Sequence, residues 1–322
     1  MAVADISGPL SRPSRALPWF RGLTLVTVLS TFALVVLGAV VRVTGSGLGC
    51  PDWPLCHGGI LPPLNTEAII EYSHRVTASF LVGPLVLATF GGAWLAFRRV
   101  PWLVVPATLA VLLLLAQAIL GGVTVVNELP GAIVAAHLAL GEALLACLIL
   151  VSVVANRGAL QLTSSRRPDG QPDRFPFLML TAGVGIYLLM LSGSYVTMTG
   201  ATGACLDWPL CQGDVFPEHR LQAIHMGHRL VAAIIGVFVI YTLHLGIREK
   251  HRASPTRFLA MAIVALLLAQ MLIGAVAVWL KFPAEIRALH LGVATAGWGM
   301  MAWLVALSFT RQYIPDKEPP HA

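Results

Sequence analysis

Charged side chains are scarce in this sequence. There are 21 Lys and Arg and 15 Asp and Glu, 11% of 322 residues, against about 25% in an average soluble domain. So few charges cannot cover a water-soluble chain that is 57% hydrophobic. The composition that keeps a chain disordered is lacking as well. Cysteine is sparse, five residues in all, and none stands in a C-x-x-C pair. What remains is an integral membrane protein, in keeping with a mean hydropathy of +0.80. The net charge of +6 then calls for no nucleic acid, because basic residues in such proteins are usually topology signals.

What is abundant is long apolar runs. A crossing needs about 20 apolar residues, and eight windows qualify: 22–43, 68–97, 102–126, 133–156, 176–198, 222–247, 258–280 and 287–310. Backbone groups in lipid must be satisfied within the segment, so each is expected to be a helix. The first run is too long for a signal sequence and is read as a retained span. Arg12, Arg15, Arg21, Arg98, Arg99, Arg157, Arg166, Arg167, Arg174, Arg248, Lys250, Arg252, Arg257, Arg311 and Lys317 fall on one side. Arg42, Arg75, Arg220, Arg229, Lys281 and Arg287 fall at or just inside the other. This imbalance places both termini in the cytoplasm and the Cys-containing loops on the outer face of the cell membrane.

The chain repeats itself. TGSGLGCPDWPLCHG at 44–58 and TGATGACLDWPLCQG at 199–213 are offset by 155. His74-Arg75 matches His228-Arg229 at 154, and Leu115-Ala116-Gln117 with Gly121 matches Leu268-Ala269-Gln270 with Gly274 at 153. His137 matches His290 at 153 as well. An even number of spans per copy makes the repeats parallel, related by an axis along the membrane normal. The expected fold is all-α, with eight transmembrane helices in two four-helix bundles. Residues 1–21 form a cytoplasmic tail, 22–156 the N-terminal bundle, 157–175 a cytoplasmic linker, 176–310 the C-terminal bundle and 311–322 a second tail.

Ionisable groups within spans are costly and mark function by default. His74 and His137 lie a short way into spans entered from the same side, so their rings share one depth; His228 and His290 repeat this. Facing imidazoles between bundle helices are what bis-His haem ligation needs. A proton relay and interhelical hydrogen bonding are the other readings. Cys50 with Cys56, and Cys205 with Cys211, read as disulfides on an oxidising side; a redox role and a metal site with His57 are alternatives. Glu71 stands where the second copy has His225, one turn from the repeated histidine. It is a candidate proton carrier, or else the i,i+4 partner of Arg75. Arg75 and Arg229 could receive haem propionates. Glu142, matched by Thr295, and Cys147 read as packing residues.

The two loops CPDWPLC and CLDWPLC, EYSHR, HMGHR and the single histidines of spans 4 and 8 together resemble the haem A synthase family over roughly residues 20–310. The resemblance implies oxidation of a haem O methyl group to a formyl group, through an alcohol and a hydrated aldehyde, to make haem A for terminal oxidases. It implies that His74 and His137 hold the substrate haem O, with Glu71 catalytic, and that His228 and His290 ligate a haem b cofactor. Both Cys pairs resemble the bacterial branch. The haem O synthase that supplies the substrate, an electron-transfer partner of unidentified class and a homo-oligomer are compatible with it.

Three other classes compete. A dihaem electron-transfer cytochrome accounts for the histidines but not for Glu71. A membrane thiol–disulfide oxidase commonly uses closer cysteines and leaves the histidines unexplained. A transporter accounts for the repeat, yet no span pair is broken at midplane.

Overall fold

The computed structural model describes residues 17–157, 173–248 and 254–309. The expected tails and linker lie outside the described residues except at their helical margins. All eight apolar runs are helical and long enough to cross a membrane, and their ends fall within five residues of the windows read from hydropathy. The helices are α1 (Leu17–Val43), α2 (Thr66–Val76), α3 (Gly83–Phe97), α4 (Pro101–Val126), α5 (Gly131–Arg157), α6 (Phe175–Met198), α7 (Arg220–Arg248), α8 (Ser254–Trp279) and α9 (Ala284–Ser308). The second span is α2 and α3 joined through a π-helical turn at Thr77–Val82. Among the described residues there is no strand, only single bridges within the two Cys loops.

That turn explains the second step of the drifting repeat, from 154 to 153. At His74 and His228 the offset, 155 through the Cys loops, is 154. Beyond the turn, buried Val86 and Thr89 correspond to buried Val239 and Thr242 at an offset of 153. The first copy therefore carries one extra residue between Val76 and Val86, and a one-residue insertion in a helix is accommodated as a π-turn. α7 runs through the equivalent region unbroken. Among the described residues, the only span with this irregularity is the one bearing Glu71 and His74.

Within the first copy α5 packs on α4 and α1, and α3 on both α1 and α4. The second copy repeats this, with α6 on α7 and α9, and α8 on α7 and α9. The copies meet through α1, α5, α6 and α9. Leu144, Leu145, Leu148 and Ile149 of α5 form one buried core with Ala306 and Leu307 of α9. Met301 and Leu304 of α9 belong to the core of the second copy. Leu95, Leu112, Ile119, Ile234 and Leu272 point outward, the faces a bilayer covers.

Two hydrogen bonds mark the relation between copies. Thr295 Oγ1 donates to Glu142 Oε1 at 2.6 Å, and Arg42 Nη2 donates to Thr197 Oγ1 at 2.8 Å. Each joins a residue to its own repeat equivalent, at separations of 153 and 155. A position can touch its symmetry mate only beside the axis, so these pairs locate the pseudo-two-fold. Glu142 is thus an inter-repeat contact, and Trp298 Nε1 also donates to its carbonyl at 3.0 Å.

Candidate functional site

The two Cys loops are built alike. Cys50 is joined to Cys56 and Cys205 to Cys211. Cys56 and Gly59 exchange backbone hydrogen bonds at 3.0 and 3.1 Å around His57 and Gly58, both with positive φ. That is the two-residue turn in which a glycine at the second position relieves the left-handed strain; Gln212-Gly213 repeats it. His57 Nε2 lies 2.9 Å from the Gly49 carbonyl, and both sulfurs are committed to each other, so the metal alternative of Cys50, Cys56 and His57 is not assembled. Asp52 accepts from the amides of His57 at 2.6 Å and Gly58 at 2.7 Å. Those bonds, led by that of Gly58, hold its carboxyl below the ordinary carboxylate range.

Each loop is fastened by the arginine that follows a histidine. Arg75 donates to the carbonyls of Asp52, Leu55 and Cys50 at 2.7–2.8 Å, and its Nε to Glu71 Oε1 at 3.1 Å. Glu71, 4% exposed, accepts from the Cys50 amide at 2.8 Å through its other oxygen. Arg229 donates likewise to Asp207, Leu210 and Pro209 at 2.7–3.1 Å. Buried His225 fills the place of Glu71, 3.4 Å from Arg229. The propionate role expected for both arginines therefore competes with the loop carbonyls for the same donors.

The four histidines come together in two pairs. His74 and His228 lie eight residues from the starts of α2 and α7, His137 and His290 six from the starts of α5 and α9. At 1.5 Å per residue those depths differ by only about 3 Å. His228 and His290 line one cavity, and His74 and His137 occupy the equivalent places of the first copy. Every ring rests on a glycine of the preceding span. A Cβ on Gly38 would lie 3.1 Å from His74 Cε1, on Gly193 3.1 Å from His228, on Gly274 3.2 Å from His290 and on Gly121 3.6 Å from His137. Gln117 and Gln270 donate to the carbonyls of His137 and His290 at 2.8 and 2.9 Å. In the sequence Gly121 and Gln117 stand out only as landmarks of the repeat, and the one signal for Gly38 and Gly193 is their shared offset of 155.

One contact is not repeated. Ser192 Oγ lies 2.8 Å from His228 Nδ1 and donates its single proton to the Leu189 carbonyl at 2.7 Å. His228 must then donate from Nδ1, which leaves the Nε2 lone pair free for a ligand. Position 37, the equivalent for His74, is leucine.

In the second copy these groups line a cavity of about 530 Å³ between α6, α7, α8 and α9, within the ~300–1,000 Å³ of cofactor sites. Its wall is largely aliphatic, with His228, His290 and Arg229 among the polar groups and no acidic residue.

The profile of the COX15-CtaA family, described as cytochrome oxidase assembly protein, matches residues 21–302. The chain belongs to the COX15-CtaA family. It is 30% identical over 311 residues to a protein named heme A synthase from Geobacillus kaustophilus, covering 96% of each chain. It is 29% identical over 295 residues to one from Exiguobacterium sp., covering 90% of this chain and 92% of that protein. A heme A synthase from Geobacillus thermodenitrificans is 30% identical over 310 residues, covering 94% of both.

COX15-CtaA proteins are thus tied to haem chemistry, and the residues present fit such a group. A planar macrocycle ligated from both faces needs opposed imidazoles, small residues behind them and apolar walls. The Nδ1 atoms of His137 and His290 are buried without a hydrogen-bond partner among the described residues, so no protein bond competes to turn either ring.

Proposed function

We propose that this multi-pass membrane protein is a haem A synthase, an oxidoreductase that converts a methyl group of haem O to a formyl group. The observation that carries the reading is the duplicated pair of histidines, each backed by glycine in the preceding span, in a chain whose relatives bear that name. His74 and His137 hold the substrate haem O in the half spanning 22–156. His228 and His290 hold a haem b in the half spanning 176–310. Haem supplies electron-transfer chemistry when bound there, and the protein supplies orientation and exclusion of side reactions.

The asymmetry between the copies supports this division. His228 is fixed in one tautomer by Ser192, as suits a resident cofactor, whereas leucine at the matching position 37 offers His74 no such hydroxyl. Glu71 stands one helical turn before His74, with Oε1 accepting from both Nε and Nη2 of Arg75 and Oε2 accepting from the Cys50 amide. It holds or moves a proton at the reacting methyl. The Cys loops lie on the outer face and the termini in the cytoplasm, a direction supported by the distribution of basic residues. The dihaem cytochrome remains the rival class.

Expression in a host that makes haem O but not haem A, followed by extraction and chromatography of the haems, tests the proposal. Haem A is the expected product. Bound haem b with unconverted haem O would favour the cytochrome and overturn the synthase reading.

A further inference from the structure

Two arginines of the C-terminal cavity are left over once the loops and histidines are accounted for. Arg287 is in the first turn of α9, three residues before His290 and on the same face. Arg42 belongs to the other copy: it ends α1 and reaches across the repeat axis to Thr197. Both line the same cavity, so two positive charges share one largely aliphatic wall. Neither has a carboxylate within salt-bridge distance among the described residues, and no acidic residue lines this cavity. Two like charges placed together at an apolar wall are costly without a counter-ion. Unlike Arg229, whose donors go to loop carbonyls, Arg42 has one side-chain acceptor, Thr197, and keeps further donors free.

The arrangement is confined to one copy. The repeat equivalents of Arg42 and Arg287 are Thr197 and Val134. A purely structural need of the fold would recur in both halves, whereas a need set by what one half holds would not. The ligand this chemistry fits is flat and apolar in its body and carries two carboxylates at one edge.

We infer that Arg42 and Arg287 form a dicarboxylate clamp, drawn from both repeats, that binds the two carboxylates of the macrocycle held between His228 and His290. This rests on the reading of that pair as a haem site. The clamp also ties α1 of the substrate half to the cofactor of the other half, so that cofactor loading stabilises the junction of the copies.

The test uses the full-length chain in detergent, produced under haem starvation and reconstituted with iron protoporphyrin IX or its dimethyl ester. Both probes offer the same iron and ring, and only the first offers carboxylates. The unaltered protein should prefer the diacid by about tenfold or more, the scale of charge-assisted hydrogen bonds. Arg42→Gln and Arg287→Gln should each remove most of that preference while binding the ester as before. Arg42→Lys should restore part of it. Equal weakening toward both probes, or an undiminished preference for the diacid, would overturn the clamp. Unchanged bis-imidazole spectra in His228→Met and His290→Met would instead overturn the haem assignment beneath it.

Discussion

The glycines behind the histidines allow a graded test. Replacing Gly193 with alanine puts a methyl carbon 3.1 Å from His228 Cε1. Carbon pairs relax at about 3.5–4.0 Å, so the ring must retreat by about 0.4 Å or more. It cannot do so freely, because Ser192 holds Nδ1 at 2.8 Å. Overpacking of this kind costs about 1–3 kcal/mol, while Gly→Ala within a helix returns about 1 kcal/mol. The fold should therefore lose no more than about 2 kcal/mol. Haem ligation meets the steric term directly and should weaken by about 5- to 150-fold. Gly38→Ala and Gly274→Ala, at 3.1 and 3.2 Å, should behave alike at their own histidines. Gly121→Ala, at an ordinary contact of 3.6 Å from His137, should gain stability and keep its ligand. Haem per polypeptide, the bis-imidazole spectrum and thermal unfolding of the purified variants measure all of this. If Gly121→Ala lost as much haem as Gly193→Ala, or Gly193→Ala retained its full complement, the role assigned to the glycines would be wrong.

Other expectations follow from single contacts. Glu71→Gln should retain haem yet stall the conversion of haem O; haem A made at the normal rate would remove the catalytic role. Ser192→Ala should lower haem affinity at His228 by about tenfold, the lower end for orienting partners, with Ser192→Thr restoring it; equal haem retention by the alanine variant would refute the tautomer argument. The folded Asp52 carboxyl titrates below its unfolded value of about 3.9, so its support of the first Cys loop is complete above that value. That support is lost as pH falls through the folded value. Reduction of Cys50–Cys56 by a phosphine should accelerate over that acid window and lose this pH dependence in Asp52→Asn; identical profiles would contradict it.

Much of this molecule can be read from order along the chain. Hydropathy located all eight spans because lipid imposes helix on any apolar run of that length. The repeat identified the four histidines and both Cys loops because duplicated residues keep their spacing. The offset of 155, 154 and then 153 even recorded the extra residue of the second span. It could not say whether that residue sat in a loop or in the helix, since an insertion has the same length either way. Packing placed it in the π-turn beyond His74.

The sequence by itself determined which residues are equivalent; the tertiary structure decided which of them meet. Glu142 with Thr295, and Arg42 with Thr197, are far apart in the chain and chemically unlike, so no pattern pairs them. They touch because the repeat axis passes between them. Arg75 and Arg229 could be placed near the histidines from sequence, but their hydrogen bonds to loop carbonyls depend on how each loop folds back over its helix. The same packing brings Arg42 out of its own repeat and into the cavity of the other. Local spacing follows from backbone geometry, which is the same wherever a helix stands. Contacts across an axis depend on where whole helices come to rest against one another.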